Sequence, residues 1–160
     1  NFTVAGSVDV EMRQGEGTFS VIKTIASDYL QHVDADVSFK VTFDYELPAG
    51  TTVDNYPKWT PPTNEDQSST LNSDKRTGTA SMVVKRGQET SFATPFPMGT
   101  TNTNLREDTL TANPTLLAGY VWKDPMFTIG SDAGTTLTIE DQKTTKVNLL
   151  NTVGAADNGF

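Results

Sequence analysis

Residues 19–25 read FSVIKTI. Alternate side chains of a strand point to opposite faces. Phe19, Val21, Lys23 and Ile25 therefore share one face, and Ser20, Ile22 and Thr24 the other. The mostly apolar face of this strand carries a lysine. The same period of two runs through VSFKVTF, which aligns Val37, Phe39, Val41 and Phe43. TASMVVK (79–85), TTNTNL (100–105), YVW (120–122), MFTIG (126–130), TTLTIE (135–140) and KVNLLNTV (146–153) follow, and Val8, Val10 and Met12 alternate ahead of them all. Pro48-Ala49-Gly50, Arg86-Gly87, Met98-Gly99 and Asp132-Ala133-Gly134 are turn signals between the runs. No long 3.6-residue period is present, and Ser27 to Gln31 offers one helical turn at most. Many short strands with regular punctuation predict an all-β sandwich or barrel.

The chain has 160 residues, enough for one domain with a sizeable core. Its 20 acidic and 12 basic side chains leave a formal charge of −8. That balance argues against nucleic acid and against an anionic membrane surface as partners. No apolar run approaches the ~20 residues of a membrane span. No signal peptide is visible, and Asn1 reads as the start of a piece cut from something longer. Cysteine is absent, which excludes disulfides, thiol nucleophiles and cysteine metal sites. An acidic, cysteine-free chain rich in Thr, Asn, Asp and Gly fits a bacterial surface protein, which must then find stability without disulfides.

From Glu46 to Gly78 the chain is polar and rich in Pro, Thr, Asn, Asp and Ser. Connections this long are uncommon and often functional. Tyr56, Trp59, Pro61 and Pro62 lie within it. They form either an exposed recognition surface for a glycan or host protein, or an insertion whose aromatics cover a sheet edge.

Lys23 has counterparts. Val147, Leu149, Asn151 and Val153 share a face of the last strand, so an asparagine stands among apolar residues there. In TTNTNLRED, Thr101, Thr103, Leu105 and Glu107 share a face opposite Asn102, Asn104, Arg106 and Asp108. A lone buried charge costs several kcal/mol. Three polar residues near the start, past the middle and at the end of one β domain are best reconciled if they meet. Burial favours the neutral, nucleophilic amine of a lysine. The Asn151 amide is an electrophile, and Glu107 a proton carrier that assists the departure of ammonia. Fixed proximity supplies effective molarities of about 10⁵ M or more. The product would be an isopeptide bond between Lys23 and Asn151, formed once per molecule. The same faces also allow a buried Lys23–Glu107 ion pair with Asn151 as a hydrogen-bonding neighbour, or a Lys23 that snorkels from the sheet edge.

FSVIKTI, then LREDTLTANPTLLAGYVW, then VNLLNT resembles the CnaB-type, or prealbumin-like, domains of Gram-positive surface proteins and pilins. The likeness is greatest to the stalk-repeat variant of actinobacterial adhesins. There a strand of the form F-x-V-x-K opens the domain. A segment with L-x-E and a proline lies past the middle, and a final strand ends in L-x-N-T. VVKRGQETSFATPFPMGTTNTNLRED is similar to the run before the glutamate in that variant. The resemblance covers about Gly17 to Val153. It implies an immunoglobulin-like β-sandwich whose first and last strands lie side by side. It also implies a bond between Lys23 and Asn151 assisted by Glu107. Asp108 departs from the pattern, standing where Thr or Ala is more usual.

The expected layout is a linker or added edge strand over 1–16, a sandwich over 17–153 with a polar insertion at 46–78, and a linker over 154–160. The expected function is a stalk or spacer domain of a cell-wall-anchored adhesin or fimbria, its partners being neighbouring domains of the same surface protein. An adhesive module working through the 46–78 loop is the alternative. No cofactor and no turnover on an external substrate are expected. TVDNYPKW (52–59) faintly resembles a pilin motif in which Lys58 would be joined to the next subunit. His32 has no nucleophile elbow to serve. Asp34 and Asp36, and Asp132 and Asp141, lack a calcium-loop spacing. Trp122 is expected in the core.

Overall fold

A computed structural model describes residues 10–25, 38–55, 59–60, 62–63, 65–107 and 120–155. Among these residues all regular structure is β. In chain order the strands are β1 (Glu16–Ile25), β2 (Ser38–Glu46), β3 (Gln67–Leu71), β4 (Thr77–Lys85) and β5 (Glu89–Ser91). They continue with β6 (Phe96–Pro97), β7 (Thr101–Glu107), β8 (Tyr120–Trp122) and β9 (Met126–Ile129). The last are β10 (Asp132–Ala133), β11 (Leu137–Thr138), β12 (Thr144–Asn151) and β13 (Val153–Ala155). One sheet runs β10-β9-β12-β1-β5, with β6 pairing the start of β1. The other runs β11-β7-β2-β4-β3, and β8 pairs β13 separately. This is the expected all-β sandwich, and β1 and β12 are neighbours in it.

The period of two is what packs the layers together. Phe39, Val41, Phe43 and Tyr45 of β2 point inward and lie opposite Val84, Met82, Ala80 and Gly78 of β4. Phe19 and Val21 of β1 meet them from the other sheet. Phe19 stands edge-on to Phe43 with ring centroids 5.0 Å apart, and Phe92 stands edge-on to Phe43 at 5.4 Å. These offset and perpendicular contacts suit the ring quadrupoles. Glycine is required opposite Tyr45, because a Cβ on Gly78 would lie 2.1 Å from the Thr70 carbonyl oxygen and 2.4 Å from the tyrosine oxygen.

The polar stretch 46–78 is more than a connection. Residues 67–71 form β3, an edge strand antiparallel to β4. Trp59 is 3% exposed and packs at 4.9 Å on Phe96 and 4.7 Å from Tyr45. Its ring extends the aromatic core, which corrects the expectation of Trp59 on an exposed recognition surface. A large apolar ring lowers free energy more by burial in this cluster than by display. Tyr56, Lys58 and Pro61 lie outside the described residues. Gln67 closes the sandwich on this side. Its amide donates to the Ser91 carbonyl and accepts from the Ala93 N–H, both at 2.8 Å.

Asp132 and Ala133, expected in a turn, instead pair with β9. The turn sits one step earlier, with Gly130 at φ 62°. Of TTLTIE only Leu137 and Thr138 are strand, pairing β7.

Candidate functional site

β1 and β12 run parallel in a continuous register from Thr18↔Thr144 to Ile25↔Asn151, with Lys23 opposite Leu149. Lys23 and Asn151 therefore lie two positions apart on the same inward face of adjacent strands. Both side chains are fully buried. The Lys23 Nζ donates to the Asn151 Oδ1. Glu107 arrives from β7 in the opposite sheet. Its Oε1 lies 3.3 Å from the Lys23 Nζ, and its Oε2 accepts from the Asn151 Nδ2 at 2.7 Å. The amine also stands 3.8 Å from the centre of the Phe39 ring, a cation–π contact. The three residues that the face pattern singles out are mutually in contact.

Simple alternation along β7 needs a correction to account for this. β2 pairs with β7 as Tyr45↔Asn102 and Asp44↔Thr103, and then as Thr42↔Arg106 and Val41↔Glu107. Three steps on β7 thus oppose two on β2, which is a β-bulge. Asn104 sits in it with φ 55°, a left-handed conformation that asparagine adopts more readily than most residues. The bulge changes the phase. Asn102 faces inward and is fully buried, against expectation, while Leu105 and Glu107 face inward after it. Asn104 and Arg106 point outward to Asp44 instead.

Burial drives the electrostatics. Removal from water pulls the Lys23 amine down to about 8, against the opposing pull of Glu107. A substantial neutral fraction therefore exists near physiological pH. A weakly basic amine, a polarised amide and a carboxylate touching both are the groups that amide exchange needs.

The other expected positions are dispersed or outside the described residues. Tyr56, Lys58, His32, Asp34, Asp36 and Asp108 fall outside them, and so does the side chain of Trp122. Asp132 is exposed, and the Asp141 carboxylate accepts the Gly15 N–H at 2.6 Å. Among the described residues no cluster of three or more His, Asp or Glu is suited to a metal ion. Sequence reasoning missed Phe39 as the platform under the amine. It also missed a second polar cluster on the outer face, where Glu89 meets Ser20 and Lys146. The visible signal was slight: Ser20 and Lys146 occupy outward positions of their strands.

Fold and site together define an all-β sandwich domain with a dehydrated Lys–Glu–Asn cluster joining two parallel strands. No protein-family model and no curated protein matches the sequence. Among solved structures the chain is similar to the major pilin protein T-13 of Streptococcus pyogenes serotype GAS131465. That likeness has 16% identity and a TM-score of 0.37, over 88% of this chain and 45% of the pilin. The chain thus spans less than half of that pilin's length, and a similarity so loose assigns no role to any residue.

Proposed function

We propose that this chain is a structural, load-bearing domain of a bacterial surface adhesin or fimbria, locked by an intramolecular amide between Lys23 and Asn151. What carries the reading is the mutual contact of Lys23, Asn151 and Glu107 in a dry interior, with the first two on neighbouring parallel strands.

The reaction is an amide exchange. The Lys23 ammonium passes a proton to the Glu107 carboxylate. The freed amine attacks the Asn151 Cγ and forms a C–N bond. Glu107 returns its proton to the former amide nitrogen as the C–Nδ2 bond breaks. Ammonia leaves with the second proton of the attacking amine, as ammonium. One ammonium and one primary amide thus become one secondary amide and one ammonium ion. Glu107 is regenerated, but the chain reacts only once, so it is not an enzyme toward any external substrate. Phe39 supports the amine, and the surrounding apolar side chains exclude the water that would otherwise compete.

Such a bond suits a cysteine-free chain exposed to force and reductants, since an amide cannot be reduced like a disulfide. The domain's partners are the neighbouring domains of its parent protein, and its site of action is the cell surface. Intact mass tests the reading. The purified chain should weigh one ammonia less than its sequence, and Lys23→Ala or Glu107→Ala should restore the full mass. An unmodified chain at full mass overturns it in favour of a buried ion pair.

A further inference from the structure

Lys23, Asn151 and Glu107 all meet in the one register in which β12 docks on β1. A one-residue slip turns the apolar face of a strand outward and is excluded by burial. A two-residue slip keeps every face in place. Val147 and Leu149 are both apolar and fully buried, so the core alone discriminates poorly among registers two residues apart. Yet a slip in one direction carries Asn151 beyond the end of β1, and in the other sets it squarely opposite Lys23, displaced from Glu107.

The outer face of the same sheet supplies the missing discrimination. Ser20 lies opposite Lys146 in the observed register. Glu89 of β5 pairs with Ile22 but leans diagonally across β1. Its Oε2 accepts the Ser20 hydroxyl at 2.7 Å and also pairs with the Lys146 ammonium. Ser20 is fully buried, and the Glu89 side chain is 6% exposed. Of the outward positions of β12, Thr144, Lys146, Asn148 and Leu150, only Lys146 carries a charge. A slip of two residues moves that ammonium about 6.6 Å along the strand. The nearly buried carboxylate would then lose the half-exposed ammonium and keep the Ser20 hydroxyl, which leaves its charge uncompensated.

We propose that Glu89 is a positioning residue for the cross-link: paired with Ser20 and Lys146, it sets the two-residue register of β12 on β1 and so brings Asn151 to Lys23 and Glu107 together. This rests on the bond proposed above, with Glu89 acting through the strand rather than on the reacting atoms.

The experiment has two readouts. The first follows ammonia loss by intact mass after cell-free synthesis of the full chain. Glu89→Ala and Lys146→Met should each slow it about tenfold. The exchanged pair Glu89→Lys with Lys146→Glu should recover most of that rate. The second reads register directly, in a Glu107→Gln background where no bond forms, using cysteines in a chain that has none. Thr24→Cys with Leu150→Cys reports the native register. Thr24→Cys with Asn148→Cys, and Ile22→Cys with Leu150→Cys, report the two slipped ones. With Glu89 intact only the native pair should oxidise rapidly; Glu89→Ala or Glu89→Gln should raise the yield of a slipped pair at least several-fold. Unchanged ammonia loss in the variants, or unchanged cysteine yields, overturns the inference. If the unsubstituted chain never loses ammonia, the bond itself is refuted, while the cysteine yields still decide whether Glu89 sets the register.

Discussion

At the scale of single residues, the site depends on an amine made less basic by burial and a carboxylate turned inward by a bulge. Lys23 titrates near 8 in the fold and near 10.5 in water. The proposed exchange starts from the Lys23 ammonium and hands its proton through Glu107 to the leaving nitrogen, so ammonia loss should slow as pH rises through about 8, read by mass after a pH jump. The stability of a bond-free chain carries the opposite sign. In Asn151→Ala the unfolded chain binds a proton that the fold refuses between about pH 8 and 10.5, so melting temperature should climb across that window. Asn104 is the other sensitive position. Asn104→Gly should be tolerated, because glycine adopts positive φ freely. Asn104→Val should cost about 1–2 kcal/mol by chemical denaturation and slow bond formation, since straightening the bulge turns Glu107 away from Lys23.

At the scale of elements, strand packing rests on two local devices. Gly78 lets β3 and Tyr45 approach β4 closely. Gly78→Ala should therefore destabilise the chain by about 1–3 kcal/mol and raise hydrogen exchange in β3 before β1 or β12. Gln67 joins the edges of the two sheets through a side chain that offers both a donor and an acceptor. Gln67→Glu keeps the acceptor for Ala93 but loses the donor for Ser91. It should cost about 1 kcal/mol in thermal melts and leave the mass deficit unchanged.

At the scale of the whole molecule, the Lys23–Asn151 link would enclose a sequence separation of 128 residues. In the chain-entropy view a closure of that length is worth about 5 kcal/mol. Glu107→Ala should therefore melt well below the bonded chain, beyond what its lost contacts alone explain. Pulling on the two termini gives a sharper readout. The bonded chain should release no length from residues between Lys23 and Asn151. Lys23→Ala should release on the order of 440 Å on unfolding.

FSVIKTI, TTNTNLRED and KVNLLNTV carried the β architecture and the identity of three polar residues on apolar faces, because side-chain alternation is a local property of an extended backbone; that the first and last strands lie side by side was implied by the resemblance alone. The phase of β7 was hidden, since a bulge depends on how two strands are paired rather than on either one alone. The burial of Trp59 was hidden for a related reason: a polar stretch conceals an aromatic whose place in the core is set by Phe96 and Tyr45, far off in the chain. Glu89 reads as an ordinary charge in a short strand until β1 lies between it and Lys146. Periodicity assigns a residue to a face, but only tertiary packing determines what stands across from it.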